Sequence, residues 1–148
     1  CLIVLSAVRL FAGGAHSASP WICTSITALL FPLMAFIASK LSVILSTLSI
    51  DIILIGSLVI TYTALFTLAP VDNEAAPIIS PDRRRKLKNT SIKIFTLFVV
   101  LAVIARFSQY NASEALLCLS ITSLWISFIL TPIGHNFFNG IDRMWKIK

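Results

Sequence analysis

The sequence predicts an all-α, polytopic integral membrane protein. It reads as a helical bundle of about four complete spans, with the end of a truncated N-terminal helix before them and an interfacial amphipathic helix after them. Three observations lead there. Of 148 residues, 57% are hydrophobic and only 12% are charged, too apolar a balance for an ordinary soluble domain. Long uncharged runs recur, each near the roughly 20 residues that a helix needs to cross a hydrocarbon core. The basic residues gather in a run at Arg83–Lys88 and in the C-terminal tail, as in loops that stay on one side of a membrane. The chain, 1–148, reads as one membrane-embedded domain.

Taken in order, Cys1–Leu10 is apolar and reads as the end of a membrane helix. The first complete span is expected over Trp21–Ser39, closed by Lys40, with Pro32 inside it as a kink. Leu41–Ser49 reads as a short interfacial turn. The second span is expected over Ile50–Leu68. An ionisable residue in a span is a functional candidate by default, but Asp51 stands at the edge and reads as an interface marker. The stretch 69–92 is the one long hydrophilic connection, and Pro70, Pro77 and Pro81 argue against a continuous helix in it. The third span is expected over Lys93–Tyr110, with Lys93 and Arg106 snorkelling to the two surfaces. The fourth runs over Ala112–Thr131 and ends at Pro132 and Gly134. In the tail 136–148, Phe137, Phe138, Ile141, Met144 and Trp145 form one helical stripe opposite Asn139, Asp142, Arg143 and Lys146, the pattern of a helix lying on a membrane.

Charge sets the orientation. Placing Arg83–Lys88 in the cytoplasm sends the third span out and the fourth back, so the basic tail also lands inside. Counting backwards puts the segment 9–23 at the cytoplasmic face. That segment, Arg9-Leu-Phe-Ala-Gly-Gly-Ala-His-Ser-Ala-Ser-Pro-Trp-Ile-Cys23, holds the densest chemistry in the chain. An imidazole can take a thiol's proton to give a thiolate, and can then protonate a leaving amine. On a straight helix His16 and Cys23 would lie about 10.5 Å apart, too far for that transfer. Gly13-Gly14 permits a bend, and Pro20 suits the first turn of a new helix. A helix starting at Pro20 or Trp21 places Cys23 in its first turn, where the helix dipole favours a thiolate. Spacing alone leaves the plainer alternative open, a polar anchor at the interface and a small core cysteine. The three cysteines show no obvious pairing, and no spacing suggests a metal site or a cofactor loop. One basic loop without stacking aromatics is a poor nucleic-acid footprint.

The run Arg9…Gly13-Gly14-Ala15-His16-Ser17-Ala18…Cys23 resembles the signature of the AgrB family, the accessory gene regulator membrane proteases. A second stretch agrees: Ala69-Pro70-Val71-Asp72-Asn73-Glu74-Ala75-Ala76-Pro77-Ile78, followed by Arg83-Arg84-Arg85-Lys86-Leu87-Lys88. The family's Asn-Lys before the second proline is replaced here by Ala75-Ala76. The resemblance implies a bacterial, multi-pass cell-membrane cysteine endopeptidase. Such an enzyme cuts the C-terminal part from an AgrD-like propeptide through a thioester, leading to a cyclic autoinducing peptide in quorum sensing. It implies Cys23 as nucleophile and His16 as general base, with no cofactor and no metal. Arg9, Gly14, Asp72, Arg83, Arg84, Arg85, Lys86 and Lys88 are the candidate substrate-binding residues, although Arg9 serves equally as an interface anchor. The partners expected are the propeptide, the lipid bilayer and a second copy in a homodimer, with no nucleic acid. The competing reading is a small non-enzymatic transporter or scaffold; no internal repeat or matched pair of broken helices favours a transporter.

Overall fold

The computed structural model describes residues 2–13, 20–71, 80–108 and 112–146. They form six helices: α1 (Leu2–Ala12), α2 (Pro20–Ile44), α3 (Thr47–Leu68), α4 (Pro81–Phe107), α5 (Ser113–Leu130) and α6 (Pro132–Lys146). Four of them, α2 to α5, are long and apolar enough to cross a membrane. The expected all-α membrane bundle is therefore the observed one, with changes at the boundaries. Helix α2 continues through Lys40 to Ile44, since a lysine at a helix end keeps its stem in apolar surroundings while its charge reaches water. The turn expected over Leu41–Ser49 contracts to Leu45-Ser46. There the Ser46 hydroxyl accepts a 3.3 Å bond from the Ser49 N–H and caps α3. The hydrophilic connection is also shorter than 69–92. Pro81 opens α4 from its first turn, a position where a missing N–H costs nothing, so the basic run Arg83–Lys88 is helical.

Helix α5 is the centre of the bundle, packing against α1, α2, α3, α4 and α6. More than half of its apolar window is buried, whereas about a tenth of the windows in α2 and α4 is. The outer helices therefore present apolar side chains such as Leu29, Phe36, Ile55, Val100 and Ile104 outward, as lipid contact requires. The α3–α5 packing includes a cluster of small buried hydroxyl residues among the large apolar ones. Thr61 Oγ1 shares its one proton between the Ser57 carbonyl at 2.8 Å and the Ser123 carbonyl of α5 at 2.9 Å. It also accepts from Ser127 Oγ at 3.0 Å. Lipid is as apolar as any side chain, so close packing and such bonds are what hold membrane helices together.

At the end of the bundle that holds the α2–α3 turn, Arg106 of α4 makes a two-pronged ion pair with Asp51 of α3. Nε to Oδ1 and Nη2 to Oδ2 are both 2.9 Å. Asp51 and Arg106 were each expected to meet the surface alone; instead they join two spans. Cys118 of α5 is disulfide-bonded, a pairing that was not obvious from the spacing of the three cysteines. It stands roughly 18 Å of helix before Leu130, remote from the end at which α2 begins.

The α5–α6 corner is tight. Thr131 Oγ1 accepts a 3.3 Å bond from the Gly134 N–H, with Pro132 at the first helical position, so α6 starts at Pro132 and not after Gly134. A Cβ on Gly134 would stand 2.4 Å from the Phe128 carbonyl oxygen. Phe138 is buried against the bundle while Met144 stays exposed, leaving an apolar edge of this helix pointing away from the protein.

Candidate active-site end of the bundle

Helix α2 begins at Pro20, as the proline rule anticipates, so Cys23 occupies the first turn of a 25-residue helix. The N–H groups of that turn have no partner within the helix, and the dipole's positive end lies there. Trp21, two residues before Cys23, is 83% exposed, and tryptophan at a helix end marks the membrane–water boundary. Because α2 and α3 are joined by a two-residue turn, the start of α2 shares an end of the bundle with the C-terminus of α3. The start of α4, with its basic run, lies there too.

Of the other sequence-derived candidates, His16, Gly14 and Asp72 lie outside the described residues, as do the side chains of Arg9 and Cys23. What the structure does describe is how the two stretches carrying them are joined. Gly13 ends α1 and pairs in parallel with Val71, just beyond α3. The Val71 N–H donates to the Ala12 carbonyl at 3.0 Å. Gly13 adopts φ +71°, a left-handed conformation that glycine takes at little cost. A Cβ there would stand 2.4 Å from the Val71 carbonyl oxygen. Backbone thus meets backbone with no room for a side chain. The segment that leads to His16 and the segment that leads to Asp72 leave from this one clamp.

Two members of the basic run, Arg84 and Lys88, one turn apart, bond backbone carbonyls at and just beyond the end of α3. Arg84 Nη2 donates to the Pro70 carbonyl at 3.4 Å. Lys88 Nζ bonds the Phe66 carbonyl in the last turn of α3, where helix carbonyls lack partners and a cation suits the dipole. Arg83, Arg84, Arg85 and Lys86 are all exposed, so Arg84 reaches Pro70 along the surface. So two of the five basic candidates hold the end of α3 and the start of the Pro70–Val71 segment, and the other three present charge to the surroundings.

Sequence reasoning missed one further group. His135, in the first turn of α6, has its Nε2 buried with no hydrogen-bond partner among the described residues. It lines a cavity of about 420 Å³ together with Val71, Arg84 and Asn136. Its place just after the Pro132–Gly134 corner was the available signal, since a polar ring there is turned onto the preceding helix. Among the described residues, no group of three His, Cys, Asp or Glu side chains could hold a metal ion.

Comparison with known proteins adds a family. Residues 1–130 match the family described as AgrB, accessory gene regulator B. An AgrB-like protein of Clostridium perfringens strain SM101 is 27% identical, the match covering 95% of this chain and 69% of the relative. An AgrB-like protein of Clostridium acetobutylicum is also 27% identical, over 91% of this chain and 61% of its own length. No solved structure matches.

Proposed function

The chain belongs to the accessory gene regulator B family, and on that premise we propose that it is a membrane-embedded cysteine endopeptidase. Its substrate is an AgrD-like quorum-sensing propeptide, cut at the cytoplasmic face of a bacterial membrane. The observation that carries the reading is the Gly13–Val71 clamp. It ties the His/Cys segment and the Ala-Pro-Val-Asp segment, far apart in sequence, to one point at the end of the bundle where α2 begins. Two stretches that share only a structural role need not converge there. The basic face of α4 at the same end supports the cytoplasmic orientation, by the rule that Lys and Arg stay inside.

The chemistry follows from the residue types. An amphipathic peptide settles on the membrane surface beside the start of α2, drawn by Arg83, Arg85 and Lys86 if it is acidic. His16 takes the proton of the Cys23 thiol, and the helix dipole favours the thiolate that forms. The sulfur attacks the scissile carbonyl and a tetrahedral oxyanion develops, which the first-turn N–H groups of α2, lacking partners within the helix, and the Arg9 guanidinium stabilise. Protonated His16 gives its proton to the leaving amine, the C–N bond breaks, and a thioester links Cys23 to the N-terminal part of the peptide. A cysteine or serine side chain of that peptide then attacks the thioester carbonyl. This frees Cys23 and closes a thiolactone or lactone. Low water access at interface depth protects the thioester from hydrolysis.

The test is co-expression of the full-length protein with the propeptide encoded beside it, reading the propeptide's mass. Wild type removes a C-terminal fragment, and His16→Ala and Cys23→Ser do not. Processing at the wild-type level by either variant, with both inserted in the membrane, overturns the assignment.

A further inference from the structure

The cavity beside the clamp is built like a receptor for an anion attached to something apolar. Its apolar lining is Leu68, Pro70 and Val71 from the end of α3 and Leu130 and Pro132 from the α5–α6 corner. The polar lining is Arg84, His135 and Asn136. Arg84 carries a permanent charge and can only donate hydrogen bonds. It is held at the rim by its bond to the Pro70 carbonyl. His135 is fixed by the corner that starts α6: its N–H donates to the Thr131 carbonyl at 3.2 Å, and Gly134 lets the helix approach Phe128. The buried Nε2 has no protein partner among the described residues. A buried polar atom in that condition needs a reason, and at a cavity wall a water, an ion or a bound group supplies one. Neither His135 nor Asn136 falls within the residues matched by the family, 1–130.

We propose that this cavity binds a carboxylate of the peptide substrate, with Arg84 supplying the charge and His135 Nε2–H and the Asn136 amide the directed bonds. The proposal rests on the peptidase reading and names a subsite for it. Three donors facing apolar walls match an acidic side chain, or a chain-terminal carboxylate, carried beside an aliphatic residue. The position argues for a peptide over a lipid phosphate. Val71 contributes both to the cavity and to the clamp with Gly13, so a chain held here stays next to the segment leading to His16 and Cys23. The subsite is distinct from the exposed Arg83, Arg85 and Lys86, which attract at a distance and fix no register.

The test uses the full-length enzyme with Cys23→Ala in phosphatidylcholine nanodiscs, titrated with the fluorescein-labelled propeptide and followed by anisotropy. A second peptide carries Asn and Gln in place of its Asp and Glu residues. His135→Leu is expected to weaken the native peptide about tenfold and the neutralised peptide less than twofold, since charge and receptor then act on the same bond. His135→Gln, which keeps a donor, is expected to recover most of the loss. Equal weakening of both peptides, or none of either, overturns the proposal. So does equal affinity of the unaltered enzyme for the two peptides, a comparison that needs no variant to fold. Repeating the series with phosphatidylglycerol in the discs separates the other source. A stabilisation by that lipid that His135→Leu abolishes, with peptide affinity unchanged, assigns the cavity to a lipid headgroup and also overturns the proposal. With Cys23 restored, the two readings part. Absence of Cys23-dependent cleavage defeats the peptidase reading. Cys23-dependent cleavage whose KM is the same in wild type and His135→Leu defeats the subsite alone.

Discussion

Replacing Gly13 with alanine probes the joint between the two segments that carry the candidate chemistry, by adding a single methyl group. The backbone at Gly13 sits at φ +71°, and holding an L-residue there costs about 1–2 kcal/mol. The new Cβ would stand 2.4 Å from the Val71 carbonyl oxygen. Both sides of that contact are backbone, so it is relieved only by separating the two segments. The contact itself adds at least about 1 kcal/mol of overpacking to the closed state, and separation relieves it by giving up the 3.0 Å bond from Val71 N–H to the Ala12 carbonyl. The closed clamp is thus disfavoured by about 2–3 kcal/mol, roughly 30- to 140-fold in its equilibrium constant at 1.4 kcal/mol per factor of ten. Two assays read this. Cross-linking between Ala12→Cys and Val71→Cys, with a short bismaleimide and the native cysteines replaced by serine, reports closure. Propeptide cleavage in the otherwise native protein reports consequence. Both are expected to fall at least tenfold in Gly13→Ala, with membrane insertion unchanged because Gly13 lies outside the spans. Gly140→Ala serves as the control. It has nothing within 4 Å of its new methyl group and should be neutral or stabilising by up to about 1 kcal/mol. Undiminished cross-linking in Gly13→Ala would refute the steric reasoning. Lost cross-linking with normal cleavage would refute the link from clamp to activity.

Three other perturbations have expected outcomes. Thr61→Val keeps the shape of the α3–α5 seam but removes the bonds to Ser57, Ser123 and Ser127, and should lower resistance to denaturation in detergent by about 1 kcal/mol. Thr67→Val, whose hydroxyl is exposed and bonds only within its own helix, should change it by less than half as much; equal effects would deny the seam its role. Gly134→Ala forces a Cβ against the Phe128 carbonyl and should destabilise the α5–α6 corner by about 1–3 kcal/mol, seen as faster proteolysis of α6. For the Asp51–Arg106 pair, the exchange Asp51→Arg with Arg106→Asp should recover thermal stability that either substitution alone loses. Failure of the exchange to recover any of it would make the pair incidental.

The spans were legible because a helix in lipid must satisfy its backbone internally and show apolar side chains outward, which leaves long uncharged runs in the sequence. Their boundaries were less so. Pro81 was counted as a breaker with Pro70 and Pro77, yet a proline that opens a helix and one that stops it look alike until the first turn is placed. Ser46 and Ser49 blurred into an apolar, serine-rich turn because serine caps helices as readily as it lies within loops. Asp51 and Arg106 were noticed one by one. Their pairing needed the relative placement of α3 and α4, which no local pattern encodes. The Gly13–Val71 clamp is a backbone pairing across 58 residues of sequence and leaves no side-chain periodicity to find. The Gly-Gly and Pro-Val signals were read as flexibility and as motif; the close approach that makes Gly13 necessary appears only in three dimensions. His135 stands out in no local pattern, because burial of a single ring nitrogen depends on how sharply the chain turns at Thr131.

The central claim is that Cys23 becomes acylated by the peptide. Intact-mass measurement of the full-length enzyme, recovered from membranes after brief exposure to the propeptide, tests it most directly. The account predicts an adduct equal in mass to the N-terminal part of the propeptide. It should be present in wild type, absent in Cys23→Ala, and released by neutral hydroxylamine as a thioester is. Cleavage that proceeds with no adduct at any time, or an adduct that persists in Cys23→Ala, would contradict it.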